Sequence, residues 1–345
     1  MKKVVFAVIL IGMLTFPVYA QEIQPPQIPD SAKSWMPESE SFGEGFQQIL
    51  NTAMEHFLPD FRLALRKSVS LMASVMVISI LQMVNTEYSR ISELIGTGSV
   101  AALLLHDSGA MIKLGAEAVT EICEYGKLLL SVMTTAMAAQ GGIAGSTALY
   151  AGTAVFNSIL TSLFSRIILP MVYVFLAAAI CTASLGEGIL KGIRDAVKNG
   201  TSWCMKTLIT VFTTYMSITG VVSGTTDAAA LKATKIAISS AVPVVGGILS
   251  DASEAVLISA GLAKNAAGVY GILAFLAILM GPFMKIGAQY LVLKITGIIC
   301  GIFGPKAMAE LIGDFSTAMG LLLAMTGSAC LLHVISTVCF LKGVG

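Results

Sequence analysis

Hydrophobic positions along this chain gather into long runs instead of the short alternating stretches of a soluble sheet protein. The first run, Val4 to Phe16, follows Lys2 and Lys3 and leads to Val18 and Ala20 at the −3 and −1 positions of a cleavage site. That is the pattern of a secretory signal peptide over 1–20, and cleavage leaves Gln21 as an extracytoplasmic N-terminus; an uncleaved anchor is the alternative. Residues 21–60 read as an extracytoplasmic leader. Pro25, Pro26, Pro29 and Pro37 keep its first part flexible. Phe46, Ile49, Leu50 and Phe57 recur at helical spacing, which predicts a short interfacial helix ended near Pro59.

From 61 to 126 the pattern predicts a first span over Ser68–Val84, a short apolar piece over Ser99–Leu105, and an amphipathic helix with Glu117, Glu121 and Glu124 on one face. Arg62, Arg66 and Lys67 precede the span, so the positive-inside rule conflicts with the side that the signal peptide assigns. Leu128–Ala139 runs into the glycines of 141–145. Thr147–Ser165 and Ile167–Leu185 flank Arg166, with Pro170 just beyond, and form either two helices with a turn at Arg166 or one long broken helix.

In residues 186–200, Ile189, Ile193 and Val197 share one face, and Lys191, Arg194, Asp195 and Lys198 the other; Trp203 is an interface anchor. Leu208–Val222 is a further span. Ile236–Leu249, about fourteen apolar residues with Pro243, Gly246 and Gly247, is too short to cross and reads as a re-entrant or broken element. Ala266–Met280 reaches a kink at Gly281-Pro282, Phe283–Phe303 carries Lys285 and Lys294, and Gly304-Pro305 opens an amphipathic piece before the last span, Thr317–Leu341. The pieces of 127–224 and 225–345 follow one script. Pro170 and Pro282 share an offset with Val132 and Val244, but the later glycines need a longer one, a pattern that either a duplicated unit or chance produces.

Composition sharpens this picture. Hydrophobic residues make up 56% and charged residues 12% of 345 positions, about half the charge of a soluble domain. The fold class is therefore all-α: a polytopic transmembrane helical bundle with broken or re-entrant and amphipathic interfacial helices, bound to membrane lipid. A formal net charge of +1 offers no field for nucleic acid. The six cysteines form no C-x-x-C pair, and His56, His106 and His333 are scattered, His333 being a packed or hydrogen-bonded residue. No P-loop, H-E-x-x-H or G-x-S-x-G motif occurs. The expectation is a non-enzyme with no catalytic, cofactor-binding or metal residues.

The charges inside apolar runs, Arg166, Lys285 and Lys294, either line a wet path, paired with Asp251, Glu254 or Asp314, or snorkel from helix ends. The pairs Gly188 and Gly192, Gly220 and Gly224, and Gly297 and Gly301 are candidate helix-packing faces.

Two segments carry a family resemblance: AVPVVGGILSDASEAV from Ala241 to Val256, and GIICGIFG from Gly297 continued by LIGDFSTAMGLLLAMTG to Gly327. Both resemble the stage III sporulation protein AE family of endospore-forming bacteria. The resemblance covers roughly 45–345 and is strongest after Ser239. It implies a subunit of a multi-protein channel or secretion complex in the mother-cell-derived outer forespore membrane, needed after engulfment. The partners so implied are other stage III A membrane proteins and a forespore protein. That family brings no catalytic residues; Pro243, Gly246, Gly247 and Asp251 are the candidate constrained element. A homo-oligomer is a further expectation. The alternative function is a secondary transporter of a small solute built on an inverted repeat.

Overall fold

The computed structural model describes the backbone of residues 25–39, 41–84, 89–139, 143–186, 188–241 and 246–342, with side chains except at some element ends and over most of 216–264. The signal-peptide segment lies outside the described residues. Among those residues every element is helical: a 3-10 helix (Asp30–Trp35), then α1 (Phe42–Val84), α2 (Ser89–Ala139), α3 (Ile143–Leu163), a π-helical turn (Phe164–Ile168), α4 (Leu169–Leu185), α5 (Gly188–Ala241), α6 (Gly246–Phe303) and α7 (Lys306–Lys342). Five stretches are long and apolar enough to cross a membrane: Phe42–Met83, Ile91–Ala138, Tyr150–Leu185, Asn265–Phe303 and Lys306–Leu341. The chain is thus an all-α polytopic bundle. At 1.5 Å per residue these stretches run about 54 to 72 Å, well beyond the ~30 Å hydrocarbon core.

α1 continues past Pro59, where local pattern predicts an end, and Pro282, where it predicts a kink, lies inside the continuous α6. An interior proline costs one backbone hydrogen bond and a clash, about 3 kcal/mol; the packing of α1 along α6 outweighs it. The short helix expected to end near Pro59 is therefore the first part of α1.

At Arg166 the chain neither turns back nor breaks. Pro170 has no N–H to offer the Arg166 carbonyl, and its ring crowds that oxygen; the chain widens into the π turn at that place and continues into α4. Gly186 then ends α4 with φ 71°, its N–H donating to the Thr182 carbonyl at 2.9 Å.

Part of the leader is packed, against the expectation of a flexible segment. Ala32 is buried, Trp35 lies against Gly281 of α6 and 5.0 Å from the His56 ring, and the Ser31 hydroxyl donates to Glu121 at 2.6 Å.

The central unit is the antiparallel pair α6–α7. Gly297 faces the α7 backbone at Ala309 and Gly313, the Ser316 hydroxyl donates to the Tyr290 carbonyl at 3.1 Å, and Cys330 approaches the Phe275 carbonyl. α1 and α2 pack along this pair, and α3, α4 and α5 complete the bundle, α3 and α4 packing against α2 as well. Lipid is as apolar as a leucine side chain, so close packing and polar contacts, more than water exclusion, hold such a core together.

Three junctions meet at one end of the bundle. Thr182–Gly186, Lys191, Lys306, Glu310, Glu93 and Leu94 line one polar hollow there. The ends of α4 and α6 and the starts of α5 and α7 therefore share a level.

Candidate functional site

The least exposed ion pair between helices, among the described residues, joins the starts of α5 and α7. Arg194 Nη1 donates to Asp314 Oδ2 at 2.9 Å, both side chains 16% exposed. Its Nε donates to Asp195 Oδ1 at 3.1 Å, and Lys191 pairs with Glu310 at 3.7 Å.

The two faces read from pattern do not divide simply into inside and outside: Ile193 of the apolar face is 46% exposed, Val197 of the same face packs against the core, and Arg194 of the charged face points at α7. This geometry also corrects the partner of Asp314, which is Arg194 and none of the three cations singled out from the sequence.

A second polar centre lies deep between α3 and α7. Thr153, Asn157, His333, Ser336 and Thr337 are all buried and border a cavity of about 20 Å³, room for a single water. His333 Nδ1 lies 2.8 Å from the Ala329 carbonyl; a carbonyl only accepts, so Nδ1 carries the proton and Nε2 is left as an acceptor. Asn157 Nδ2 donates to the Cys123 carbonyl at 3.3 Å. Phe275 of α6 stacks at a tilt beside His333, 5.2 Å between centroids. Local pattern marked none of the α3 members, because Thr and Asn in an apolar run look like ordinary small polar membrane residues.

A third feature is a half-open groove of about 480 Å³ between α1, α2 and α6. Lys67 pairs with Asp107 at 2.7 Å at its edge, and Gln289 lines it while being 91% buried, since it is 9% exposed. Ala64, Leu71, Leu103 and Leu293 give it an apolar wall beside Ser68, Ser70, Ser99 and His106.

The other singled-out residues do not converge. Arg166 in the π turn and Lys285 and Lys294 on α6 are all exposed. Gly297 and Gly301 sit at the α6–α7 crossing, where a Cβ on Gly301 would lie 3.7 Å from that of Ala309. Gly192 borders open space. Gly188, Gly220, Gly224, Gly246, Gly247 and Asp251 fall on helix backbone whose side chains are outside the described residues, and Pro243 lies outside them altogether. Among the described residues no group of three His, Cys, Asp or Glu is placed to hold a metal ion.

A bundle of long apolar helices, tied by one ionic seam and one buried polar centre, defines a helical polytopic membrane protein. The chain belongs to the stage III sporulation protein AE family, whose model matches residues 33–343. This is the family that the 241–256 and 297–327 segments resemble. A curated relative, stage III sporulation protein AE of Bacillus subtilis (strain 168), is 19% identical over 197 residues, 57% of this chain and 49% of the relative; the match spans about half the length of that relative. No solved structure matches.

Proposed function

We propose that this chain is a non-enzymatic membrane subunit of a sporulation-specific channel or secretion complex. It works by assembling with other stage III A membrane proteins in the mother-cell-derived outer forespore membrane, linking mother cell and forespore after engulfment. The family match over 33–343 carries this reading. The scatter of Arg166, Lys285 and Lys294 over the surface supports it, since a subunit that assembles needs no converged pocket of its own.

The transporter alternative rests on an inverted repeat. Corresponding pieces of an inverted repeat cross in opposite directions. Here the segment after Gly186 and the segment after Gly304 begin at the same end and pair with each other through Lys191–Glu310 and Arg194–Asp314. This parallel course of two corresponding segments is not what an inverted repeat requires, and it favours the first reading.

Deletion of the gene in its own sporulating host tests the proposal. The expected result is normal vegetative growth, arrest after engulfment and loss of heat-resistant spores. Normal sporulation of the deletion strain would overturn it.

A further inference from the structure

α5 runs antiparallel to the helix formed by α3 and α4. Thr201 Oγ1 lies 3.8 Å from Met171 Sδ, and Phe212 stacks on Phe156 with centroids 4.1 Å apart. The stretch from Gly188 to Thr201 therefore lies beside the stretch from Leu185 back to Met171.

These two neighbours differ sharply in chemistry. α4, Leu169–Leu185, has no charged residue and turns Tyr173 and Val174 outward, 51% and 50% exposed. At the same end α1 exposes Val77 and Ile80 by more than half. Apolar surface of this extent belongs against lipid. Yet at the same level α5 exposes Lys191, Asp195 and Lys198. Spaced four and three residues apart, they form one stripe. It is distinct from the inward stripe of half-buried Val197 and buried Thr201, Met205 and Leu208, and from the exposed apolar flank of Ile193 and Trp203.

Snorkelling does not resolve the mismatch. Lys198 stands about 15 Å along the helix from Gly188 and has no ion-pair partner among the described residues. Asp195 is too short to reach an interface. Charges at bilayer depth face protein or water, not lipid.

We propose that in the assembled protein the Lys191–Asp195–Lys198 stripe lines a water-filled path at bilayer depth, with the apolar flank of α5 separating that path from lipid. The proposal rests on the reading of the chain as a subunit of a membrane complex.

The test introduces Asp195→Cys and Lys198→Cys singly into the full chain in its host, with Tyr173→Cys and Val174→Cys on α4 as controls. Open membrane fragments from sporulating cells are treated with a membrane-impermeant sulfonated maleimide. Peptide mass spectrometry identifies the modified residue, so the native cysteines stay in place. Residues 195 and 198 are expected to react at least about tenfold more than 173 and 174. Modification at all four positions would put this level outside the bilayer, and modification at neither 195 nor 198 would mean that the stripe is covered; either result overturns the proposal. Asn199→Cys, exposed on the same side, gives the same readout should either α5 variant fail to accumulate. Normal sporulation of the deletion strain would discard the complex reading while leaving the labelling pattern as it stands, so the two failures are distinguishable.

Discussion

The His333 ring occupies the space that a side chain on Gly126 would need: a Cβ built on Gly126 overlaps the ring at Cδ2 and Nε2. α2 and α7 thus approach each other by pairing the smallest residue of one with an imidazole of the other. The ring is held on its far side by the Ala329 carbonyl and flanked by Phe275, so shifting it aside disturbs both contacts. Gly126→Ala is expected to cost about 1–3 kcal/mol through overpacking, read as a lower melting temperature in detergent. Adding His333→Ser should recover most of that loss, because the clash disappears with the ring. Additive losses in the double variant would mean that the two residues do not share this space.

The Arg194–Asp314 pair is 16% exposed on both sides, and removing one member strands the other. Arg194→Met or Asp314→Leu alone is expected to destabilise by about 3 kcal/mol, the low end for a buried pair. The double variant, which strands no charge, should lie within about 1 kcal/mol of the parent. Thermal stability of the four proteins checks this; a double variant as weak as either single one would mean that the seam contributes packing and not charge balance.

This seam also shows where sequence pattern is informative and where it is not. The long apolar runs announce the helices, because lipid demands many consecutive apolar residues whatever the tertiary packing. Pattern failed where a long-range partner overrides local period. Ile189, Ile193 and Val197 share one face by pattern and Arg194 the other, but Asp314 on α7 needs a cation, and only the fold shows that Arg194 is the one in reach. Pro59 misleads for a related reason: its local cost is real, and the packing of α1 along α6 outweighs it. The His333 centre was legible only in part, as a buried and hydrogen-bonded imidazole, since Thr153 and Asn157 join it from a different helix.

The docked leader makes a separate prediction. Trp35 fits beside Gly281 because a Cβ there would stand 3.0 Å from the indole Nε1, and the 3-10 helix has little other apolar anchorage beyond Ala32. Trp35→Ala, and independently Gly281→Val, should undock residues 30–35. Loss of about 1.5–3 kcal/mol of docking raises the open population by roughly ten- to hundredfold. Trypsin cleavage after the exposed Lys33 is the measurement, and it should accelerate by that factor while the bundle stays intact. Unchanged cleavage in both variants would show that other contacts hold the leader.

Tyr125 packs edge-on against Phe275, ring centroids 5.2 Å apart at 87°, and is 2% exposed. Its hydroxyl is buried and has no hydrogen-bond partner among the described residues. An unpartnered buried hydroxyl costs about 1–3 kcal/mol, whereas the ring contact depends only on the aromatic edge and face. Tyr125→Phe removes the first and keeps the second, so it is expected to leave stability unchanged or raise it by about 1 kcal/mol. Tyr125→Leu forfeits the edge-to-face contact and changes the shape of the site, and should lower stability by about 1–3 kcal/mol. The order Phe, then Tyr, then Leu in melting temperature is the expected outcome. A Phe variant clearly weaker than the parent would mean that the hydroxyl is satisfied, by a water held in the bundle or by a partner subunit, and the unpartnered assignment would fall.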